Sequence, residues 1–310
     1  MINSQKFPKF VKLVEVGPRD GLQNEKKIIP LDVKVQLIDK LSNAGFLNIE
    51  SASYVSPKWV PQMATSKEVM QRIIRKKGVV YSALVPNMKG LEFALENKID
   101  EIVIFSAASE SFSKKNINCS ISESINRFQK VVEVAKENNI RVRGSISCSF
   151  GCPYEGEIKP QSTTDVVSRL KDLGCDEIDI ADTIGVATAD KIKIVFLKIS
   201  EIFPQENLSG HFHDTYGQAL VNIYSALEVG IKIFHSSVAG LGGCPFAKGA
   251  TGNVATEDVL YLLNGLGINT GISFDKVIDA GQFISDFLGK KSVSKVGAAF
   301  VSKKIEKGIS

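Results

Sequence analysis

Histidine is scarce in this chain, three in 310 residues, yet two stand one residue apart in GHFHDTYGQ, residues 210–218. Leu208 to His213 reads as an extended segment and Gly217 opens an apolar-periodic run. On a strand His211 and His213 share a face, about 7 Å apart along the chain. Two neutral imidazoles so placed suit a metal ion. A second polar group stands in EVGPRDGLQNE, with Arg19, Asp20 and Gln23. Others are Glu50 in IESASYVSPKWVPQM, Asp182 in ADTIG, and Cys244 and Asn253 in SSVAGLGGCPFAKGATGN. Two imidazoles, a carboxylate and an amide oxygen make a mixed N/O donor set with few soft ligands. Mg2+ or Mn2+ fits it best, with Zn2+ and Co2+ left open. A permanently charged arginine beside such an ion suits a developing oxyanion or enolate. That is carbon–carbon bond chemistry next to a carbonyl.

Each residue also has a plainer reading. Asp20 before Gly21 is ordinary turn chemistry. Glu50 and Asp182 can bind loop backbone or fill a barrel layer, and the histidines can be satisfied core groups. Cys244 can be a small filler in a Gly-rich loop whose paired glycines suit a moving lid. Trp59 and its prolines read as packing. Metal binding gains its weight from convergence.

That convergence depends on the elements. Short β-branched runs alternate with segments of helical period along the chain. The first run, VKLVEVG, leads to a helix over about Leu31–Gly45, and the last unit ends with TEDVLYLLNGLG. Eight strand–helix units fit a TIM (β/α)8 barrel, which typically takes ~250 residues. A doubly wound sheet fits less well, because no GxGxxG follows the first strand. The expected organisation is a barrel over residues 1–270 and a short helical extension over 271–310, one helix plus a tail. Barrel active sites lie at the C-terminal ends of the strands. Arg19, Asp20, Gln23, Glu50, Asp182, His211, His213, Cys244 and Asn253 all fall there. His235 shares a strand face with Ile233 and Ser237; which face lines the barrel stays open.

Composition narrows the class. A hydrophobic content of 44% and a charged content of 23% are ordinary for a globular protein. The net charge of +4 is spread along the chain, so no nucleic-acid footprint stands out. No apolar run reaches about eighteen residues, which argues against a membrane span. The N-terminus MINSQKFPKF lacks a signal-peptide core, and a cytoplasmic location is expected. Cys119, Cys148, Cys152, Cys175 and Cys244 are odd in number, which favours free thiols; structural zinc is not expected.

The motifs VGPRDGLQNE, YVSPKWVPQM, AASESFSKKNINCS, GCPYEGE, ADTIGVAT, HFHDTYGQAL and SSVAGLGGCPFAKGATGNVATEDV resemble the hydroxymethylglutaryl-CoA lyase family, of a metal-dependent TIM-barrel superfamily. The resemblance runs from Val11 to Gly271. It implies cleavage of (S)-3-hydroxy-3-methylglutaryl-CoA to acetyl-CoA and acetoacetate, and a homodimer. Asp20, His211 and His213 match the family's metal ligands, and Asn253 a further one. Arg19 matches the enolate-stabilising arginine and Cys244 the reactive loop cysteine, with an acid/base role. Gln23, Glu50 and Asp182 match supporting active-site positions. Two departures stand out: His235 replaces an aspartate before SSVAG, and Phe246 replaces a tyrosine after GCP. The alternatives are a lyase on a related 3-hydroxyacyl-CoA or 4-hydroxy-2-keto acid, a Claisen-type acyl transferase, and a metal-binding barrel without catalysis.

Overall fold

The computed structural model describes residues 7–243 and 252–306. Its frame is eight parallel strands: β1 Lys12–Glu15, β2 Asn48–Ser53, β3 Val80–Leu84, β4 Glu101–Ala107, β5 Arg141–Ser147, β6 Glu177–Asp182, β7 Leu208–Phe212 and β8 Ile233–Ser236. They close in the order β1-β8-β7-β6-β5-β4-β3-β2, a TIM barrel as expected. Around them lie α1 Leu31–Ala44, α2 Ser66–Arg72, α3 Met88–Glu96, α4 Glu110–Ile117, α5 Ile121–Glu137, α6 Pro160–Leu173, α7 Ala189–Ser200, α8 Ala219–Glu228, α9 Thr256–Gly265, α10 Phe274–Leu288 and α11 Lys295–Glu306. A two-stranded ribbon, Gly151–Cys152 with Gly156–Glu157, follows β5.

Strand alternation divides the molecule into two interiors. Ile178, Ile180, Phe212 and Phe234 belong to the large apolar layer between strands and helices. Inside the barrel Val14, Val16 and Ile233 make a small apolar cluster. Most barrels fill that space with branched aliphatic layers. Here Arg143, Glu101, Glu177, Asp179 and His235 are all buried instead. His235 stands on the face of Ile233 and so lines the barrel.

Several expectations need correction at their edges. The stretch after β4 carries a separate helix, α4, where none was expected: Ser109 caps it by accepting from Phe112 N, and Asn118 ends it in the left-handed region. The apolar-periodic stretch SKEVMQRIIRKKG is helical only as far as Arg72, because Ile73 turns extended. The C-terminal region has two helices rather than one. Gly289 closes α10 at φ +65°, and Asp258 on α9 then starts α11 by accepting from Ser294 Oγ at 2.7 Å and Val296 N at 2.9 Å. Trp59 is not packed: it is 84% exposed.

Gly45 ends α1 in a left-handed conformation, φ +106°. A Cβ there would lie 2.6 Å from the carbonyl oxygen of Gly271, where the chain leaves the barrel for α10. Gly45→Ala adds left-handed strain to a backbone collision. It is expected to cost about 1–3 kcal/mol. A urea midpoint equal to wild type would refute the close approach.

Candidate active site

At the end of β1 the chain makes one wide helical turn, Gly17–Gly21, with Gly21 N reaching Val16 O at 3.1 Å. Only glycine fits at Gly21, where a Cβ would lie 2.8 Å from both Leu241 Cβ and Ser237 Oγ. The turn directs Arg19 across the barrel mouth. Its Nε donates to Glu50 Oε1, and its Nη1 donates to Asp20 Oδ1 at 2.8 Å. Glu50 Oε2 accepts from Arg143 Nη2 at 2.7 Å, so one buried carboxylate bridges two arginines. Gln23 Nε2 donates to Asp20 Oδ1 at 3.2 Å.

On the opposite side, His211 is the penultimate residue of β7 and His213 follows the strand end, their rings 5.5 Å apart. The segment 252–254 lies antiparallel to this strand end: Asp214 N donates to Gly252 O, and Val254 N to Phe212 O. That pairing carries Asn253 into the mouth. Its Nδ2 donates to Asp20 Oδ2 at 2.8 Å, and its Oδ1 lies 2.7 Å from His211 Nε2. Asp20, His211 and His213 each offer a ligand atom within 4.8 Å of the others, a group that can hold a metal ion. The donor set fits a divalent cation. One buried nitrogen, His213 Nδ1, has no hydrogen-bond partner among the described residues.

The electrostatics agree. Burial alone would raise Asp20, but Arg19, His211 and His213 hold it down at about 2. Burial, reinforced by the charge of His211, lowers His213 to about 4, so its imidazole is neutral and ligand-ready. His211 would also be lowered by burial, yet Asp179 and Asp20 raise it to about 9. A proton there balances two carboxylates in the metal-free protein, and a divalent ion can supply the same positive charge. Burial pushes Asp182 up to about 6 against the N–H groups of Ala187, Val186 and Gly185. Both of its oxygens are taken by loop backbone, Oδ1 by Val186 N at 3.0 Å and Oδ2 by Ala187 N at 2.9 Å. Asp182 thus shapes the loop after β6.

The structure brings Arg19, Asp20, Gln23, Glu50, His211, His213 and Asn253 to one mouth. Cys244 and Phe246 lie outside the described residues. Sequence reasoning missed Arg143 and Asp179, which back the site from below. Their signal was the alternation of Arg141, Arg143 and Ser145 in RVRGSIS and of Glu177 and Asp179 in EIDIADT, polar groups set between apolar strand residues. Arg19, Asp20, His211 and His213 open into a cavity of about 780 Å3, walled further out by Leu84, Phe105, Phe112, Phe128 and Trp59.

Residues 10–284 match the profile of the HMGL-like family. The chain belongs to that family. It is 55% identical over 297 residues to the 3-hydroxy-3-isohexenylglutaryl-CoA/hydroxy-methylglutaryl-CoA lyase of Pseudomonas aeruginosa, covering 96% of this chain and 99% of that protein. The cytoplasmic 3-hydroxy-3-methylglutaryl-CoA lyase of Rattus norvegicus is 53% identical, covering 97% and 88%. The crystal structure of hydroxymethylglutaryl-CoA lyase from Pseudomonas aeruginosa superposes with a TM-score of 0.95 at 55% identity, covering 96% of this chain and 100% of that one. An HMG-CoA lyase from Acinetobacter baumannii, in complex with coenzyme A and 3-methylmalate, gives 0.90 at 36% identity, covering 94% and 95%. These likenesses extend over nearly the whole chain.

Proposed function

We infer that this chain is a metal-dependent carbon–carbon lyase that cleaves (S)-3-hydroxy-3-methylglutaryl-CoA into acetyl-CoA and acetoacetate. The observation that carries this is the group Asp20, His211 and His213 beside the buried Arg19, on the floor of a cavity sized for a small acyl chain. Held by these three and the Asn253 amide oxygen, Mg2+ or Mn2+ would act as a Lewis acid on the substrate 3-hydroxyl and lower its pKa. A base at the mouth would take the hydroxyl proton, and C3 becomes the ketone of acetoacetate as the C2–C3 bond breaks. The electron pair passes to C2, and the thioester oxygen takes the enolate charge. Arg19 faces that oxygen with a charge that needs no proton transfer of its own. Glu50 and Asp20 fix the guanidinium plane from two sides. A proton then returns to C2 to complete acetyl-CoA, and Cys244 is the donor we assign on its motif. Gln23 steadies Asp20 and faces the substrate.

The exposed Lys115 and Arg127 on the cavity wall offer charge to the phosphates of the acyl-CoA. A homodimer in the cytoplasm is the assembly and location proposed; the resemblance supports the first. No helix among the described residues is long and apolar enough to cross a membrane. A second reading rests on the apolar wall of Leu84, Phe105, Phe112 and Phe128, which leaves room for a 3-substituent longer than methyl.

The test is acetoacetate release from hydroxymethylglutaryl-CoA by metal-stripped protein, with and without added Mg2+ or Mn2+. A substrate carrying a longer 3-alkyl group is run in parallel. Metal-dependent release is expected, and none under either metal would overturn the reading. His213→Ala removes one ligand and should lower both bound metal and rate, by roughly 10- to 100-fold in affinity. Unchanged metal content would strike His213 from the ligand set.

A further inference from the structure

Below the mouth, His235 on β8 stands in register with His211 on β7, only 2% exposed. Its two ring nitrogens face different partners. Nε2 lies 2.9 Å from Nη1 of Arg143, and Nδ1 lies 3.5 Å from Asp179 Oδ2. An arginine can only donate, so Nε2 must accept and the ring proton must sit on Nδ1. That N–H faces two candidate acceptors, Asp179 Oδ2 at 3.5 Å and His211 Nδ1 at 3.2 Å. His211 turns its own Nδ1 to the same oxygen, at 3.6 Å. The two Nδ1 atoms are 3.2 Å apart, two rings leaning on one carboxylate. Ser145 Oγ adds a third donor to Oδ2 at 2.8 Å.

A charged carboxylate is a stronger acceptor than a neutral imidazole nitrogen. We propose that Asp179, anchored by His235 and Ser145, is the positioning residue that keeps the proton of His211 on Nδ1. This leaves His211 Nε2 to face Asp20 and Asn253. Metal-ligating histidines need such an outer partner, because it fixes both the ring plane and the coordinating nitrogen. Arg143 acts at one remove: it sets the tautomer of His235, and through Glu50 it also braces Arg19. One buried network therefore aligns a metal ligand and the enolate-binding arginine together. Asp179, His211 and His235 also lie close enough to hold an ion themselves. The guanidinium against His235 opposes that, since it adds a fixed positive charge and occupies Nε2.

The proposal rests on reading Asp20, His211 and His213 as metal ligands, and the test separates the two. With three histidines in the chain, selective 15N-histidine labelling gives a spectrum that can be assigned by single substitutions. In metal-free wild type, His211 should carry a proton on Nδ1, and His235 should be neutral with its proton on Nδ1. An unprotonated His211 Nδ1 would overturn the proposal. Asp179→Ala removes the acceptor that faces His211 Nδ1, so Nδ1 should lose its proton and Mn2+ affinity should fall roughly 10- to 100-fold. His235→Gln keeps an oxygen for Arg143 and an N–H for Asp179, and should bind Mn2+ like wild type. If wild type binds no Mn2+, the ligand reading fails. If Asp179→Ala binds it as tightly as wild type, only the positioning role fails. Two Mn2+ per chain would place an ion where we place a hydrogen-bond anchor, and would also overturn it.

Discussion

Arg19→Met is expected to lower turnover roughly 10²- to 10⁵-fold, the range found when a donor or a fixed charge is removed from a developing oxyanion. Metal binding should survive the change. Arg19 does not belong to the ligand group, and its positive charge lies against Asp20, where it opposes a cation on the same carboxylate. Affinity for Mn2+ is therefore expected to hold or to rise. The substitution leaves Glu50 with Arg143 as its remaining partner, so the buried acid is not orphaned and the fold should persist. Arg19→Lys is the informative companion. It keeps the charge but loses the fork that binds Glu50 and Asp20 together, so its activity should fall between methionine and wild type. The measurement is single-turnover acetoacetate formation at saturating Mg2+, paired with Mn2+ titration of each variant. A loss of less than about tenfold for Arg19→Met would remove the enolate role.

What the sequence made legible follows from where periodicity carries information. The pair His211 and His213 was readable because strand geometry fixes i and i+2 to one face, and the structure holds their rings 5.5 Å apart. The barrel was readable from eight repeats of strand and helix. The charged barrel interior was not. Every residue of β6 is buried, Glu177 and Asp179 as much as Ile178 and Ile180, so hydropathy does not say which face meets the helices. The partners of Arg143 lie far along the chain, Glu50 at a separation of 93 residues and His235 at 92. Only closure of the barrel brings them together. Helix α4 escaped for another reason: ESFSKKNI has little apolar periodicity, and its definition comes from Ser109 at one end and Asn118 at the other. Trp59 misled because a large aromatic normally argues for burial, whereas here it stands at the cavity rim.

A pH effect of similar weight is expected from the turn that leads into the Gly-rich segment. Val238–Gly240 is clasped by two buried acids. Glu15 Oε1 accepts from Val238 N at 2.9 Å, and both oxygens of Glu257 accept from Ala239 N, at 2.9 and 3.0 Å. Burial pushes Glu15 up to about 7 and Glu257 up to about 8, from an ordinary 4.5. A folded-state value above the unfolded one means that the folded protein binds more protons between them. Stability from these groups is complete below pH 4.5 and is lost as pH rises through 7 and 8. For Glu257 the shift corresponds to several kcal/mol at alkaline pH, on the order of 1.4 per unit. Glu257→Gln imitates the protonated acid at every pH. Its melting temperature relative to wild type should therefore climb between pH 5 and pH 9. Any fixed steric cost, such as crowding against Gly281, cancels in that difference. Added Mg2+ keeps the titration of His211 out of the comparison. A difference that stays flat across the range would mean that Glu257 is ionised in the folded protein, with the Ala239 N–H as its compensation. The turn would then be held by a charge rather than by a neutral acid.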